Sequence, residues 1–262
     1  MSACPVTSQS PSQVSTQPRR LVLAYAAAVY LIFLLVLAYS VGFLAPAGVP
    51  RTIDRGPAAP WPAAVAIDAA LLLLFAVQHS VMARPWFKRR WTRVVPAAAE
   101  RATYVLCASL ALALLYWGWR PVPATIWHLP QPAAGVLDGV YGLGWALALS
   151  ATFMISHFDL FGLRQAYLHA RRARYRPPAF TQRGLYRFVR HPLMTGFLVV
   201  FWAVPTMTAG HLLLAVAATG YILVGIWFEE RDLGQDLGPA YRSYQARVPA
   251  LLPRPPALAR KR

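Results

Sequence analysis

The chain alternates long apolar stretches with short polar ones, and six of the apolar stretches are almost free of charged residues. A helix needs about 20 apolar residues to cross the roughly 30 Å hydrocarbon core of a bilayer, so stretches of this kind predict membrane-spanning helices. We therefore expect an all-α, polytopic integral membrane protein, embedded in a lipid bilayer by about five to six transmembrane helices. The predicted spans are residues 21–44, 64–82, 102–119, 136–156, 193–208 and 211–228.

The fifth and sixth spans differ from the others in length and spacing. The fifth has only 16 residues, and Pro205 near its end is expected to break or kink a helix. Only Ala209 and Gly210 separate it from the sixth span. The two spans are therefore predicted to form a tight antiparallel hairpin at the C-terminal end of the domain.

Composition supports a membrane protein and excludes an ordinary soluble one. Of the 262 residues, 57% are hydrophobic and 13% are charged, whereas about 25% are charged in a typical soluble domain. The formal net charge of +17 could indicate a nucleic-acid binder. The spans leave too little polar chain for such a module, so we expect no nucleic-acid partner.

The basic residues are distributed unevenly between the two sides of the predicted spans. Arg51, Arg55 and Arg120 lie on one side, and the other 23 of the 26 Lys and Arg residues lie on the opposite side. The positive-inside rule then predicts that both termini and the two long basic loops are cytoplasmic.

Residues 1–18 are rich in Ser, Gln, Thr and Pro and predict a disordered tail without the cleavage-site pattern of a signal peptide. Residues 19–262 are expected to form a single membrane domain. Cys4 and Cys107 have neither the number nor the spacing for a disulfide framework or a metal knuckle. The sequence has no internal repeat and no phosphate-binding glycine loop, which argues against a duplicated transporter and an ATP-driven machine.

Two polar segments stand just before the fifth span and just after the sixth. The second segment contains Glu229 and Glu230, two of the three glutamates of the chain. Folding the hairpin about its turn places Arg190 level with Glu229, and His191 level with Phe228. One interpretation is an ion pair that fixes the hairpin at the membrane interface.

The same residues also suit a small zwitterionic ligand that carries hydroxyl groups. Arg190 would bind a carboxylate through two parallel hydrogen bonds, and Glu229 or Glu230 would accept hydrogen bonds from ribose hydroxyls or an ammonium. Tyr186 would form part of an aromatic wall, and the first N–H groups of a helix that starts at Pro192 would face a carboxylate. S-adenosylmethionine has these groups, so we expect it as the cofactor.

The C-terminal third resembles the cofactor-binding signature of the isoprenylcysteine carboxyl methyltransferase superfamily of membrane methyltransferases. The matching motifs are Arg190-His191-Pro192 with Gly196, Glu229-Glu230-x-x-Leu233, Tyr241-x-x-Tyr244 and Val248-Pro249. The resemblance implies that the cofactor-binding part covers about residues 157–253. It also implies that the cofactor is bound by Tyr186, Arg190, His191, Pro192, Leu193, Gly196, Glu229, Glu230, Tyr241 and Tyr244.

The rest of the chain is similar to the nurim-like bacterial branch of that superfamily and, within it, to the methanethiol S-methyltransferases. The motifs that carry this likeness are Gln78-His79-Ser80-Val81-Met82-Ala83-Arg84 with Trp86-Phe87-Lys88, Glu100-Arg101-x-Thr103-Tyr104, and His157-Phe-Asp-Leu-Phe-Gly-Leu-Arg-Gln165. The resemblance implies a bacterial inner-membrane enzyme that uses S-adenosylmethionine to convert methanethiol, or a similar small thiol, to a methyl sulfide such as dimethyl sulfide.

Four alternatives stay open at the level of the sequence. The acceptor could be another thiol, an isoprenylcysteine carboxylate or a lipid, or the chain could be a non-catalytic, nurim-like membrane scaffold. Met194 stands where the carboxyl methyltransferases typically have tyrosine, which disfavours a prenylated-cysteine substrate.

Methyl transfer to sulfur needs the thiolate, whereas a thiol is mostly protonated at neutral pH, so a base or a cation is expected near the acceptor. Candidate catalytic residues are His79 at the end of the second span, and His157 with Asp159 at the end of the fourth, where the carboxylate would orient the imidazole. Arg164 shares a helix face with His157 if the fourth helix continues. The spacing of these residues is not that of a metal site, so no metal is expected.

Three polar residues of the spans remain. Asp68 lies 11 residues before His79 and on the same helix face, and a carboxylate inside a span is a functional candidate. Asp138 and His211 stand at span ends away from the basic loops, and we expect both to be solvated.

Overall fold

The structure is a computed structural model that describes residues 19–45 and 48–253. The tail at residues 1–18, predicted to be disordered, lies outside the described residues. The helices of the described part are α1 (Arg19–Leu44), α2 (Trp61–Ala83), α3 (Pro85–Trp91), α4 (Ala97–Gly118), α5 (Ala133–Ile155), α6 (His157–Leu160), α7 (Leu163–Ala170), α8 (Pro192–Trp202), α9 (Ala209–Asp236) and α10 (Pro239–Arg247). A 3-10 turn covers Gly184–Arg187, and two short strands are β1 (Thr125–His128) and β2 (Thr206–Thr208).

Five helices in the described ranges, α1, α2, α4, α5 and α9, are long and apolar enough to cross a membrane. They confirm the prediction of an all-α polytopic membrane protein and correspond to the first four and the sixth predicted spans. Large apolar side chains on their outer faces are exposed, among them Leu35, Leu73 and Leu143 at 63–69%. Such faces suit contact with lipid rather than with water.

The fifth predicted span is only partly helical. Helix α8 has 11 residues, which is about 17 Å of helix, and the chain then continues through Pro205 into strand β2. Proline has no N–H to donate to a helical turn, which explains why the helix does not extend through this segment. The predicted two-residue turn is wrong, because Ala209 and Gly210 are instead the first residues of α9.

The strands join two connections on the same side of the molecule. Strand β1, between α4 and α5, pairs antiparallel with β2, between α8 and α9. We call this side the ribbon end and define it as residues 48–60, 119–132 and 203–208. The opposite side is the basic end, defined as residues 84–96, 156–191 and 229–253.

The helices pack as two groups that α9 connects. Helix α4 lies between α1 and α2, and α7 packs on α1 and α4 at the basic end. The second group is α5 with α8, and α9 contacts both α2 and α8. The hydroxyl of Tyr141 on α5 donates to the carbonyl of Val41 on α1 at 2.7 Å and so links the two groups directly.

The ribbon end is filled by a packed core that contains Phe43, Tyr116, Trp119 and Trp145. Asp68 is fully buried beside it, and its Oδ1 accepts a hydrogen bond from the N–H of Arg120 at 2.8 Å. Asp68 therefore anchors the chain where α4 ends.

His211 corrects one sequence-based expectation. It is 1% exposed and its Nε2 donates to the carbonyl of Phe201 at 3.1 Å, so the prediction that it is solvated was wrong. It belongs to the packed turn that leads into α9. Asp138 is exposed, as expected.

Candidate active site

The Arg190 side chain and Glu230 form the centre of a polar cluster at the basic end. Arg190 Nε donates to Glu230 Oε1 at 2.7 Å, and the side chains are only 11% and 19% exposed. A second guanidinium nitrogen, Nη1, donates to the carbonyl of Gln245 at 3.1 Å and to that of Val248. The predicted neighbourhood of Arg190 and the two glutamates is confirmed, with the closest contact to Glu230.

His191 completes the cluster. Its Nε2 donates to Glu230 Oε1 at 3.0 Å, and its Nδ1 lies 3.7 Å from an oxygen of Glu229. Burial lowers the pKa of His191 below its usual 6.5, although the hydrogen bond to Glu230 acts in the opposite direction. The imidazole is therefore neutral at pH 7, and the cluster of Arg190, His191, Glu229 and Glu230 has a net charge of −1.

Backbone hydrogen bonds hold the C-terminal segment against this cluster. The N–H groups of Arg190 and His191 donate to the carbonyls of Pro249 and Ala250 at 2.9 and 3.0 Å. The Gln245 side chain donates to the second oxygen of Glu230 at 3.2 Å. Arg190 thus has an anchoring role that the sequence did not predict.

The tyrosines predicted for the cofactor site are buried and support the site. Tyr241 and Tyr244 of α10 are 1% and 2% exposed, and the Tyr244 hydroxyl donates to the carbonyl of Tyr186 at 2.6 Å. Burial raises the pKa of both α10 tyrosines to about 12. These side chains fix α10 beneath the 3-10 turn that precedes α8.

Helix α8 begins directly after His191 of the cluster. Pro192 is the first residue of the helix, and the N–H groups of the next residues, beginning with Leu193, have no acceptor within a helix at this position. Gly196 also has a packing role. A Cβ on Gly196 would lie 2.7 Å from the carbonyl oxygen of Gly144, so this glycine permits close packing of α8 on α5.

A second polar site lies at the basic end of α2. His79 Nε2 is 2.7 Å from the hydroxyl of Tyr104 on α4, and among the described residues its buried Nδ1 has no hydrogen-bond partner. The ring of Phe75 stacks on His79 with centroids 5.2 Å apart, and Tyr221 of α9 lies at 6.3 Å. His79 therefore has one nitrogen fixed and one available in an aromatic environment.

His157 has no available nitrogen. Tyr30 contacts its Nε2 and Thr152 contacts its Nδ1, both at 2.7 Å. Since the Thr152 hydroxyl donates to the carbonyl of Leu149, it accepts from Nδ1–H, and Tyr30 donates to Nε2. The ring of Phe153 stacks on the imidazole at 4.1 Å, and His157 is 5% exposed.

The predicted pairing of Asp159 with His157 is wrong. Asp159 instead binds Arg164 at 3.1 Å and the hydroxyl of Tyr175 at 3.1 Å. Arg164 would share a helix face with His157 only if the fourth helix continued, and that condition is not met, because α5 ends at Ile155 and the chain turns before α6. The ion pair of Asp159 and Arg164 thus holds a loop closed and does not orient His157. The hydrogen bond from Tyr175 to Asp159 could not be predicted from local spacing.

No group of three or more His, Cys, Asp or Glu residues within 19–45 and 48–253 is arranged to bind a metal ion.

Comparisons with known proteins identify related chains. The family model described as "NnrU protein" matches residues 69–252. The chain is 57% identical over 238 residues to the methanethiol S-methyltransferase of Mycobacterium tuberculosis, a match that covers 90% of this chain and 98% of that one. It is 51% identical to the enzyme of the same name from a Pseudomonas species, with 88% of this chain and 90% of the other covered.

The chain belongs to the methanethiol S-methyltransferase family.

A more distant relative is nurim. Mouse nurim is 33% identical over 180 residues, covering 65% of this chain and 68% of nurim. No solved structure matches the chain.

Sequence reasoning did not assign a role to Tyr104 in this member of the methanethiol S-methyltransferase family. A usable signal was present, because α2 and α4 are antiparallel and His79 and Tyr104 stand almost equally far from the middle of the loop between them. The counting that placed Arg190 beside the glutamates would have placed these two residues side by side.

Proposed function

We propose that the protein transfers the methyl group of S-adenosylmethionine to methanethiol and so forms dimethyl sulfide. Membership of the methanethiol S-methyltransferase family supports this function. The observation that carries it is the pair of polar sites at one end of the helices, one around Glu230 and one around His79.

The site around Glu230 has the groups that the cofactor requires. S-adenosylmethionine combines a sulfonium, an ammonium and a carboxylate, and a cluster with a net charge of −1 favours the two cations. Glu229 and Glu230 would bind the ammonium or the ribose hydroxyls, and the free N–H groups at the start of α8 would bind the carboxylate. Arg190 then orients Glu230 and the segment after α10. These groups lie within residues 190–250, inside the cofactor-binding part expected at about residues 157–253.

The site around His79 suits the acceptor. Phe75, Tyr104 and Tyr221 surround the imidazole with aromatic rings, which favours a small apolar molecule over a charged one. Tyr221 and Glu229 are eight residues apart on α9, or about 12 Å. The same helix therefore connects the acceptor site to the cofactor site.

His79 is proposed as the base that forms the thiolate. Its Nδ1 has no partner among the described residues, whereas both nitrogens of His157 are bonded within the protein. A base must have a free lone pair within reach of the proton that it accepts. Asp159 and Arg164 then act indirectly, by holding the loop that packs on α4.

The uneven distribution of Lys and Arg supports an orientation in the bacterial inner membrane. The basic end, with both polar sites, would face the cytoplasm together with both termini. A water-soluble cofactor would enter there, and methanethiol would arrive through the lipid. The packed ribbon end separates both sites from the opposite side.

The function is tested with detergent-solubilised protein, methanethiol and S-adenosylmethionine that carries a deuterated methyl group. We expect dimethyl sulfide with one labelled methyl group in the headspace, measured by gas chromatography with mass detection. Protein that binds the cofactor but gives no labelled dimethyl sulfide would exclude methanethiol as the acceptor and direct the search to other thiols or lipids.

Two variants separate the two sites. Glu230→Gln should weaken cofactor binding at least about tenfold, since it removes the charge that Arg190 and the cofactor share. His79→Gln should leave cofactor binding unchanged and lower kcat by about 100-fold or more. Binding is measured by calorimetry and turnover by dimethyl sulfide release. Normal kcat in His79→Gln would exclude it as the base.

A further inference from the structure

Three segments of the chain that contribute nothing to the Glu230 cluster meet around α4. His79 approaches from α2, Tyr104 lies on α4 itself, and the loop after α5 packs on α4 at Arg101 and Ala102 through Gly162. A Cβ on Gly162 would lie 2.6 Å from the backbone nitrogen of Ala102, so the contact is between backbones. The three segments therefore pack together, and the Tyr104 hydroxyl contacts His79 where they meet.

We propose that Tyr104 is a positioning residue that directs Nδ1 of His79 toward the acceptor thiol. The inference rests on the proposed methylation of methanethiol and adds a residue to it. In the tautomer that this proposal assigns, Nε2–H of His79 donates to the Tyr104 oxygen, 2.7 Å away, which leaves the lone pair of Nδ1 to accept the thiol proton.

The contacts of Tyr104 make it rigid enough for this role. The side chain is 7% exposed, and its ring lies 5.1 Å from the guanidinium carbon of Arg101. Arg101 is in turn held by its Nε, which donates to the carbonyl of Leu160 at 2.8 Å. The hydroxyl therefore sits at a fixed point opposite Nε2.

The hydrogen bond between Tyr104 and Nε2 of His79 is kept whether the imidazole is neutral or protonated. When the thiol S–H bond breaks, its proton moves to Nδ1 and both nitrogens of His79 become donors. The Tyr104 oxygen then remains as the acceptor for Nε2–H. The thiolate sulfur forms a bond to the methyl carbon of the sulfonium donor, the bond from that carbon to the sulfonium sulfur breaks, and its electron pair stays on the departing sulfur.

The test compares Tyr104→Phe with Tyr116→Phe. Tyr116 is a matched control, since it is a buried tyrosine of the same helix whose hydroxyl bonds to Ser40 at 2.6 Å in the packed core of the ribbon end. Each variant is assayed with methanethiol and with methaneselenol, which has the same shape but is already ionised at neutral pH. Cofactor affinity is measured in parallel.

We expect Tyr104→Phe to lower kcat for methanethiol by about 10- to 100-fold, with KM and cofactor affinity nearly unchanged. The loss for methaneselenol should be less than about threefold, because that nucleophile needs no base. Tyr116→Phe should affect both acceptors equally and slightly. An equal loss of kcat for both acceptors in Tyr104→Phe would show a structural role and overturn the proposal.

A second measurement tests directly whether Tyr104 acts through His79. In a His79→Gln background, Tyr104→Phe should cause no further loss of kcat, because the two residues act as one unit. Fully additive losses would overturn the inference. Absence of methylated product from the unmodified protein with both acceptors would instead overturn the proposed function itself.

Discussion

His157 shows how a buried histidine can be structural although it lies beside a candidate active site. Tyr30 and Thr152 bond its two nitrogens, one from α1 and one from α5. Phe153 and Phe161 cover its faces at 4.1 and 4.8 Å. The residue thereby joins the two helix groups at the basic end, and its removal would break the hydrogen bonds that Tyr30 and Thr152 make to it.

We expect His157→Gln to lower the free energy of unfolding by about 1–3 kcal/mol and to leave kcat largely intact. The pH dependence follows from burial, which lowers the pKa of His157 in the folded protein below 6.5. The contribution of the neutral ring is complete above that pH and is lost as the pH falls through it toward the folded pKa.

Thermal unfolding in detergent between pH 5 and 8 measures this effect on stability. The kcat of His157→Gln is compared with that of His79→Gln. The difference in stability between the unmodified protein and His157→Gln should be largest near pH 8 and shrink toward pH 5. A loss of kcat in His157→Gln as large as that in His79→Gln would contradict the structural role.

At the scale of elements, the close packing of α8 on α5 fixes the position of the site. Gly144 and Gly196 face one another so closely that a Cβ at either position would lie 2.7–3.0 Å from backbone of the other helix. Membrane helices approach this closely only where the residues are small. Because α8 begins at Pro192, next to His191, the position of this helix sets the position of the Glu230 cluster.

Gly196→Val should destabilise the protein by about 1–3 kcal/mol and weaken cofactor binding, since it pushes α8 away from α5. Gly139→Ala, on the same α5, is the control because its Cβ would meet nothing within 4 Å. Unfolding temperature and cofactor affinity are measured for both variants. Equal behaviour of the two would show that the close packing has no part in forming the site.

The sequence predicts the helices better than it predicts which residues and strands pair with one another. The five long spans follow from apolar length alone, and the opposition of Arg190 to the two glutamates follows from antiparallel counting. The end of α8 was indicated by Pro205, whereas the pairing of β2 with a strand nearly 80 residues away could not be predicted from local spacing. The hydrogen bond that holds His157 was not predictable either, because its partner Tyr30 lies 127 residues away.

At the scale of the whole molecule, the two ends differ in both charge and packing. The ribbon end carries Arg51, Arg55 and Arg120, and aromatic residues including Phe43 and Trp119 fill the space between its helices. The basic end carries most of the Lys and Arg residues of the described part of the chain, and both polar sites lie at or next to it. Access of a water-soluble cofactor is therefore expected from the basic end alone.

The orientation is tested by labelling single cysteines with a membrane-impermeant maleimide, after Cys4 and Cys107 are replaced by serine. Arg55→Cys at the ribbon end and Arg93→Cys at the basic end are both exposed. In spheroplasts we expect Arg55→Cys to be labelled and Arg93→Cys to be labelled only after lysis, because the positive-inside rule places the basic end in the cytoplasm. The opposite pattern would place both polar sites outside the cytoplasm, away from the cellular supply of S-adenosylmethionine, and would contradict the proposed cofactor together with the orientation.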